Sequence, residues 1–265
     1  MSARRIHVRR REAVGSTRLP PLVFVHGGYA SSACWDVHFL PWFSARGFDC
    51  HAPDLSGHGD SEGGERLDAF GLDDYVEDVG QVVDALDEAP VLIGHSMGSV
   101  VVERCLKVRR ARAAVLTAPV PATGIFGATA RTALTSPGFF SQHARALDGE
   151  VTPEAVETLR RVYYSPETSA EDVLRFATLF GVESRRALLD LTLLPMRFAW
   201  RLPALPVLVV GGEADALFPA SGLDFIAARW GGEVAVIPRA GHTLMLDAHW
   251  RSAAERIAGW IEARR

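Results

Sequence analysis

The stretch Gly94-His95-Ser96-Met97-Gly98 constrains this chain more than any other part of it. It has the form G-x-S-x-G. An apolar run of strand length, Pro90-Val91-Leu92-Ile93, precedes it, and Ser99 to Leu106 follows without a helix breaker. A strand that turns straight into a helix brings the two elements very close together. Glycines on either side of the turn remove the Cβ atoms that would block the approach. The serine between them takes a strained backbone conformation that pushes its hydroxyl out at the C-terminal edge of a sheet. There it lies at a helix N-terminus, whose amides and dipole favour developing negative charge. Ser96 alone could equally be a helix N-cap. The motif carries chemistry only if the rest of the chain supplies partners.

On both sides of that turn, strand-like and helix-like segments alternate. Leu22-Val23-Phe24-Val25 reads as a strand ending at His26-Gly27-Gly28. Cys34 to Ser44 is expected to be one helix, and Phe48 to Pro53 the next strand. Asp73 to Leu86 carries Tyr75, Val76, Val79, Val82, Val83 and Leu86 at helical spacing. Ala113 to Thr117 reads as another strand. Repeated strand-then-helix order implies parallel strands joined by right-handed crossovers.

The alternation stops after Pro119. From about Val120 to Trp200 the pattern is helical, as in Pro153 to Tyr164 and Ala170 to Leu179. It resumes with a strand at Leu205 to Val210, a helix at Leu223 to Trp230, a strand at Glu233 to Ile237 and a helix from Trp250 to Ala263. The expected layout is a core of residues 1–119 and 201–265 with a helical lid at 120–200 over the strand C-termini. The alternative is a helical decoration remote from any site.

Of the 265 residues, 48% are hydrophobic, which is ample for one large core. A net charge of −4 gives no reason to expect a nucleic-acid partner. Arg4, Arg5, Arg9, Arg10 and Arg11 are read as a solvated first strand with Ile6 and Val8 turned inward, because no apolar anchor accompanies them. No secretory h-region follows these arginines, and no stretch has the length of a membrane span. Cys34, Cys50 and Cys105 fit neither a disulfide framework nor a zinc site and are expected to be buried apolar residues. The expected setting is soluble, reduced and cytoplasmic, with no metal.

A serine hydroxyl is a weak nucleophile and needs a base within hydrogen-bond reach, usually a histidine oriented by a carboxylate. Asp215 lies just beyond the Val207 to Val210 run, and His242 just beyond Val234 to Ile237. Glu213 and Asp247 compete with Asp215 for the acid position.

With these residues in place the chain resembles the α/β-hydrolase superfamily, and most of all its esterase and lysophospholipase-like members with a helical cap. The resemblance rests on His26-Gly27-Gly28, Asp54 to Ser61, Gly94 to Gly98, Gly212 to Asp215 and Ala240-Gly241-His242, in this order. It implies a mostly parallel sheet of seven or eight strands flanked by helices, since Arg4 to Glu12 offers only one strand where the family usually begins with an antiparallel pair. It implies Ser96 as nucleophile, His242 as base and Asp215 as the acid. It also implies the amides of Gly28 and Met97 as an oxyanion hole. His95, Asp54, His58 and Ser61 are expected to be structural.

The aromatic residues of the insertion include Phe126, Phe139, Phe140, Tyr163, Tyr164, Phe176, Phe180, Phe198 and Trp200. Most are expected in its own core, and some should face the pocket. Tyr29, Phe126, Phe139 and Leu217 are the expected pocket residues. The implied activity is hydrolysis of a small-molecule carboxylic ester with apolar groups, needing no cofactor. The same residues could serve carbon–carbon bond hydrolysis, lipid or thioester cleavage, or cofactor-free perhydrolysis, and a non-catalytic binding role is the remaining rival. Haloalkane dehalogenation is disfavoured, because family members that do it carry Asp where this chain has Ser96. The sequence sets no oligomeric state.

Overall fold

The computed structural model describes residues 4–15, 19–193 and 204–264. Seven strands form one sheet in the order β1-β3-β2-β4-β5-β6-β7. They are β1 (Val8–Arg11), β2 (Leu22–Val25), β3 (Cys50–Pro53), β4 (Val91–His95), β5 (Ala113–Thr117), β6 (Val207–Gly212) and β7 (Glu233–Ile237). Only β1 runs antiparallel, against β3. Among the described residues the N-terminal segment supplies one strand, and the sheet has seven. Arg9 and Arg11 of β1 pair with Asp36, and Arg4 reaches the buried carboxylate of Asp78.

In β2, β4, β5 and β6 every residue is buried, as expected of parallel strands covered on both faces. Alternate residues then serve two different cores. Leu22 and Phe24 join a cluster with Trp35, Phe39, Phe43 and Ile257. Val23 and Val25 join the opposite cluster with Val79, Val101 and Leu223. Helices α1 (Ala33–Asp36), α2 (Phe39–Ala45) and α11 (Trp250–Glu262) cover the first face. Helices α3 (Leu72–Asp84), α4 (Met97–Cys105) and α10 (Leu223–Trp230) cover the second. The start of α3 is tied down by Asp74, whose carboxylate accepts the Gly71 amide at 3.0 Å.

The single helix expected over Cys34 to Ser44 is two. The chain leaves helical geometry at His38 (φ −134°, ψ −50°) and restarts at Phe39. Pro41 explains the break. It lacks an N–H and its ring clashes with the carbonyl four residues back, so it fits the first turn of a new helix and not the interior of an old one.

Between β5 and β6 the described residues form five helices: α5 (Phe126–Thr135), α6 (Phe139–Leu147), α7 (Pro153–Tyr163), α8 (Ala170–Ala177) and α9 (Arg185–Thr192). Thr152, Ser169 and Ser184 cap α7, α8 and α9 by accepting amides of their first turns. The Ser184 hydroxyl also donates to the Phe70 carbonyl at 2.6 Å, which fastens this block to the sheet-bearing part of the chain. Its expected end at residue 200, along with Phe198 and Trp200, lies outside the described residues. The described helices include none long and apolar enough to cross a membrane.

Candidate active site

β4 runs into α4 at Ser96, whose backbone lies at φ 52°, ψ −118°. A non-glycine residue there costs on the order of 1–3 kcal/mol and persists only where the surroundings enforce it. They do so by close packing. A Cβ on Gly94 would run into the carbonyl of Gly98, and one on Gly98 into the carbonyls of Val25 and His26. The Ser96 amide donates to the Thr117 carbonyl at 3.0 Å, and the Ser99 hydroxyl donates to the Ser96 carbonyl at 2.6 Å. The turn is therefore held from β5 and from α4 together.

The two partners arrive from strands two and three places along the sheet. Asp215 follows β6 and His242 follows β7, both on the sheet edge where β4 ends. His242 Nδ1 donates to Asp215 Oδ2 at 2.8 Å, which leaves Nε2 as the acceptor facing the Ser96 hydroxyl at 3.2 Å. The second oxygen of Asp215 accepts the amides of Leu217 (2.8 Å) and Phe218 (2.7 Å), so the carboxylate cannot rotate away. His242 and Asp215 are 2% and 5% exposed, dry enough for these contacts to act at low dielectric.

The competing carboxylates are used elsewhere. Glu213 accepts the Arg239 amide at 2.8 Å. Asp247 is buried and accepts the amides of Ser165, Gly241 and His249, which pins the loop carrying His242.

His95 bonds the His242 backbone and not the serine hydroxyl. Its Nε2 donates to the His242 carbonyl at 3.0 Å, and its Nδ1 has no partner among the described residues. Burial, aided by the nearby His242, pushes its pKa down to about 3, so it stays neutral. It acts as a strut under the His242 backbone.

The register Val25↔Gly94 between β2 and β4 brings the Gly28 loop beside Ser96. Met97 is the first residue of α4, where an amide has no acceptor within its own helix. Both residues line the cleft above the serine.

Asp54 organises the turn after β3. Its side chain accepts the amides of Ser32 (2.6 Å) and Asp60 (3.0 Å), and its carbonyl accepts the Ser61 hydroxyl (2.7 Å). Among the described residues, His7, Asp54 and Asp60 are the one group whose potential ligand atoms converge. The two Asp54 oxygens are already committed to those amides. The three cysteines are free and buried; burial raises all three thiols, Cys105 to about 12, well above any nucleophilic range.

Above Ser96 opens a cleft. Its floor is Gly28, Ser96, Met97 and His242. Its walls come mainly from the insertion: Ile125, Ala128 and Thr129 of the α5 end, Phe139, Phe140 and His143 of α6, Tyr163 of α7, Phe180, and Leu188 and Leu191 of α9. Tyr29, His95, Val120, Leu217, Phe218 and Thr243 complete the lining. Residues of the insertion thus form much of the cleft wall above Ser96.

The sequence profile of the alpha/beta hydrolase family matches residues 22–258, nearly the whole chain and every residue of this arrangement. The chain belongs to the alpha/beta hydrolase family. A protein of Mycobacterium tuberculosis provisionally named non-heme bromoperoxidase BpoC is 27% identical to this hydrolase over 84% of the chain and 86% of its own length. The pyrethroid hydrolase of Sphingobium wenxiniae is 34% identical over 77 residues, which span 29% of this chain and 27% of that protein. Solved structures share the fold across almost the full length. BpoC superposes with a TM-score of 0.78 at 22% identity, covering 98% of this chain and 97% of its own. An esterase from Thermogutta terrifontis gives 0.71 at 18% identity, covering 98% and 94%.

Of the pocket residues expected for this hydrolase, Tyr29, Phe139 and Leu217 line the cleft and Phe126 does not. Phe126 is 70% exposed. Ile125, Ala128 and Thr129, spaced i, i+3, i+4, form the inward face of α5, and Phe126 stands a quarter-turn away in solvent. Sequence reasoning missed Phe218, Leu188, Leu191 and His143. Helical spacing within α9 could have flagged the two leucines. Nothing local marks His143, whose ring stacks on Phe139 and meets Tyr29 edge-on. Burial lowers its pKa to about 4, so it is a neutral polar handle in a largely apolar wall.

Proposed function

We propose that this hydrolase cleaves carboxylic esters with apolar acyl or alkyl groups through a Ser96–His242–Asp215 triad. The observation that carries this reading is the continuous hydrogen-bonded path from Asp215 through His242 to Ser96 at the floor of an apolar cleft. Ser96 attacks the ester carbonyl while His242 Nε2 takes its proton. His242 then returns the proton to the leaving alcohol. Asp215 holds the imidazole in the required tautomer and stabilises its charged form. The amides of Gly28 and Met97 hold the oxyanion. Water, deprotonated by His242, releases the acid and restores Ser96. No cofactor enters any step. The insertion serves as the cap that shapes the substrate site, dividing the chain into a core of residues 1–119 and 201–265 and a cap of 120–200.

Relatives named as a pyrethroid hydrolase and an esterase support hydrolysis. The apolar lining supports an apolar substrate. The test is turnover of p-nitrophenyl esters from acetate to palmitate, with Ser96→Ala in parallel. Turnover that disappears in the variant upholds the reading, and the chain-length optimum reports the depth of the cleft. Fluorophosphonate labelling of Ser96 without turnover of any ester would sink the ester assignment and leave carbon–carbon or thioester cleavage by the same nucleophile.

A further inference from the structure

Glu183 is a buried carboxylate that the proposed mechanism does not use. It comes from the insertion, just before α9, and reaches down to the loop after β2. Its Oε2 accepts the Tyr29 amide at 3.2 Å. Two residues earlier, the Gly181 amide donates to the Tyr29 carbonyl at 2.7 Å. The insertion therefore grips both backbone groups of Tyr29. That residue is in the left-handed region, φ 63°, which a side-chain-bearing residue holds only under constraint. Gly28, whose amide is the proposed oxyanion donor, is its neighbour. Glu183 Oε2 lies 3.4 Å from the point where a Cβ on Gly28 would sit.

A bare carboxylate so near an oxyanion site would oppose the reaction, because like charges repel strongly where water is excluded. The structure supplies the counter-charge. His58 Nε2 lies 3.2 Å from the same Oε2, and both side chains are almost fully buried. The other oxygen accepts the Tyr75 hydroxyl (2.9 Å) and the Ser184 amide (2.7 Å). Burial by itself would neutralise both groups. The hydrogen bond and charge of the partner outweigh it, carrying the Glu183 carboxyl below its ordinary value and the His58 imidazole above its own. His26, whose ring is 5.1 Å from that of His58, is held neutral and adds no second positive charge.

We infer that Glu183 is a positioning residue for the oxyanion loop, and that His58 neutralises it so that it holds the loop without repelling the oxyanion. The inference rests on the proposed role of Ser96 and Gly28. It also makes the insertion part of the reaction centre: the element that shapes the substrate site sets the oxyanion donor as well. A product of this arrangement is charge coupling between two residues that touch no substrate.

The test uses the full-length protein and four forms: wild type, His58→Gln, Glu183→Gln and the double variant. The readouts are kcat and KM on a p-nitrophenyl ester, the second-order rate of Ser96 labelling by a fluorophosphonate, and Tm. His58→Gln leaves the carboxylate uncompensated and should lower kcat and the labelling rate by about 30-fold or more, with KM within about threefold, the scale of losing an oxyanion contact. Glu183→Gln keeps an oxygen for the Tyr29 amide and should cost about fivefold or less. The double variant should recover to near the Glu183→Gln rates. A purely structural role gives additive losses in Tm and no recovery of rate, and that result would overturn the inference, as would an unchanged kcat in His58→Gln. Should His58→Gln fail to fold, Glu183→Ala decides. It removes the acceptor and should label at least about tenfold more slowly than Glu183→Gln; equal rates would overturn the inference. Wild-type labelling without ester turnover would refute the ester reading alone, and the labelling ratios would still decide this one. An unlabelled wild type would refute both.

Discussion

At the scale of single residues, the site depends on groups whose alternatives are closed off. Both Asp215 oxygens are committed, one to His242 and one to two amides, so Asp215→Asn keeps the shape of the loop and presents the wrong hydrogen-bonding pattern to Nδ1. We expect kcat on the preferred ester to fall by about 10⁴ with little change in Tm. A loss below about tenfold would mean that His242 finds its tautomer without Asp215. Gly98 makes a second residue-scale test. Any Cβ there meets two carbonyls of the neighbouring strand and loop, and neither can move without opening β2. Gly98→Ala should abolish labelling and lower Tm together, because the same contact shapes the turn and packs the sheet. Retained labelling at wild-type Tm would show that the turn relaxes more easily than this packing implies.

At the scale of elements, the question is which face of each insertion helix meets the cleft. Phe139→Ala opens the wall and should shift the ester optimum to bulkier or longer acyl groups, with a several-fold change in kcat/KM. Phe126→Ala, on the solvent side of the neighbouring helix, should leave the whole chain-length profile unchanged. Equal effects of the two would mean that α5 rotates in solution. The insertion is also latched to the loop that carries Asp215. Arg131 of α5 donates to the carbonyls of Ala216 and Leu217, each at 2.7 Å. Removing the guanidinium in Arg131→Ala forfeits about 1.5–3 kcal/mol of charge-assisted hydrogen bonding. Faster limited proteolysis within α5 and α6, with a higher KM, is the expected result, and an unchanged digestion rate would count against the latch.

At the scale of the whole molecule, buried histidines set the response to pH. His26 donates from Nδ1 to the Gly27 carbonyl and accepts the Leu55 amide at Nε2, so it has no room for a second proton. Burial, with His58 nearby, lowers its pKa to about 4, and His95 is lowered to about 3. Both therefore bind protons in the unfolded chain, near the ordinary value of about 6.5, before they bind them in the native state. Stability present above pH 6.5 is lost as the pH falls from there through the folded values, at about 1.4 kcal/mol per pH unit for each histidine. His58 has the opposite sign. Its raised pKa stabilises the fold at pH below 6.5, and that contribution is lost as the pH rises through the folded value. His143, lowered to about 4, and His38 and His51, also lowered by burial, act in the same direction as His26 and His95. Five histidines against one predict that Tm drops between pH 6.5 and 4, and circular dichroism melts across that range check it. A flat Tm from pH 7 to pH 5 would show that these histidines are not held neutral.

The fold class was legible because periodicity is local. Leu22 to Val25 and Leu223 to Trp230 read as a strand and a helix from their own side chains, and the strand-then-helix order dictates parallel pairing. The break at His38 was legible in principle too, since Pro41 permits no other course. Ser96, Asp215 and His242 each carried a local signature as residues placed just past a strand. Which acid His242 meets was not written in any local pattern, because Glu213, Asp215 and Asp247 each offer a carboxylate close to it in sequence or just past a strand. Only the packing of β6 against β7 and the amides of Leu217 and Phe218 chose among them. The same limit hid His143, Phe218 and Glu183. A helix shows in its sequence that it has an inner face, but not what that face meets. Contacts between residues more than a hundred positions apart, such as Tyr75 with Glu183, exist only once the tertiary fold has set the insertion against α3.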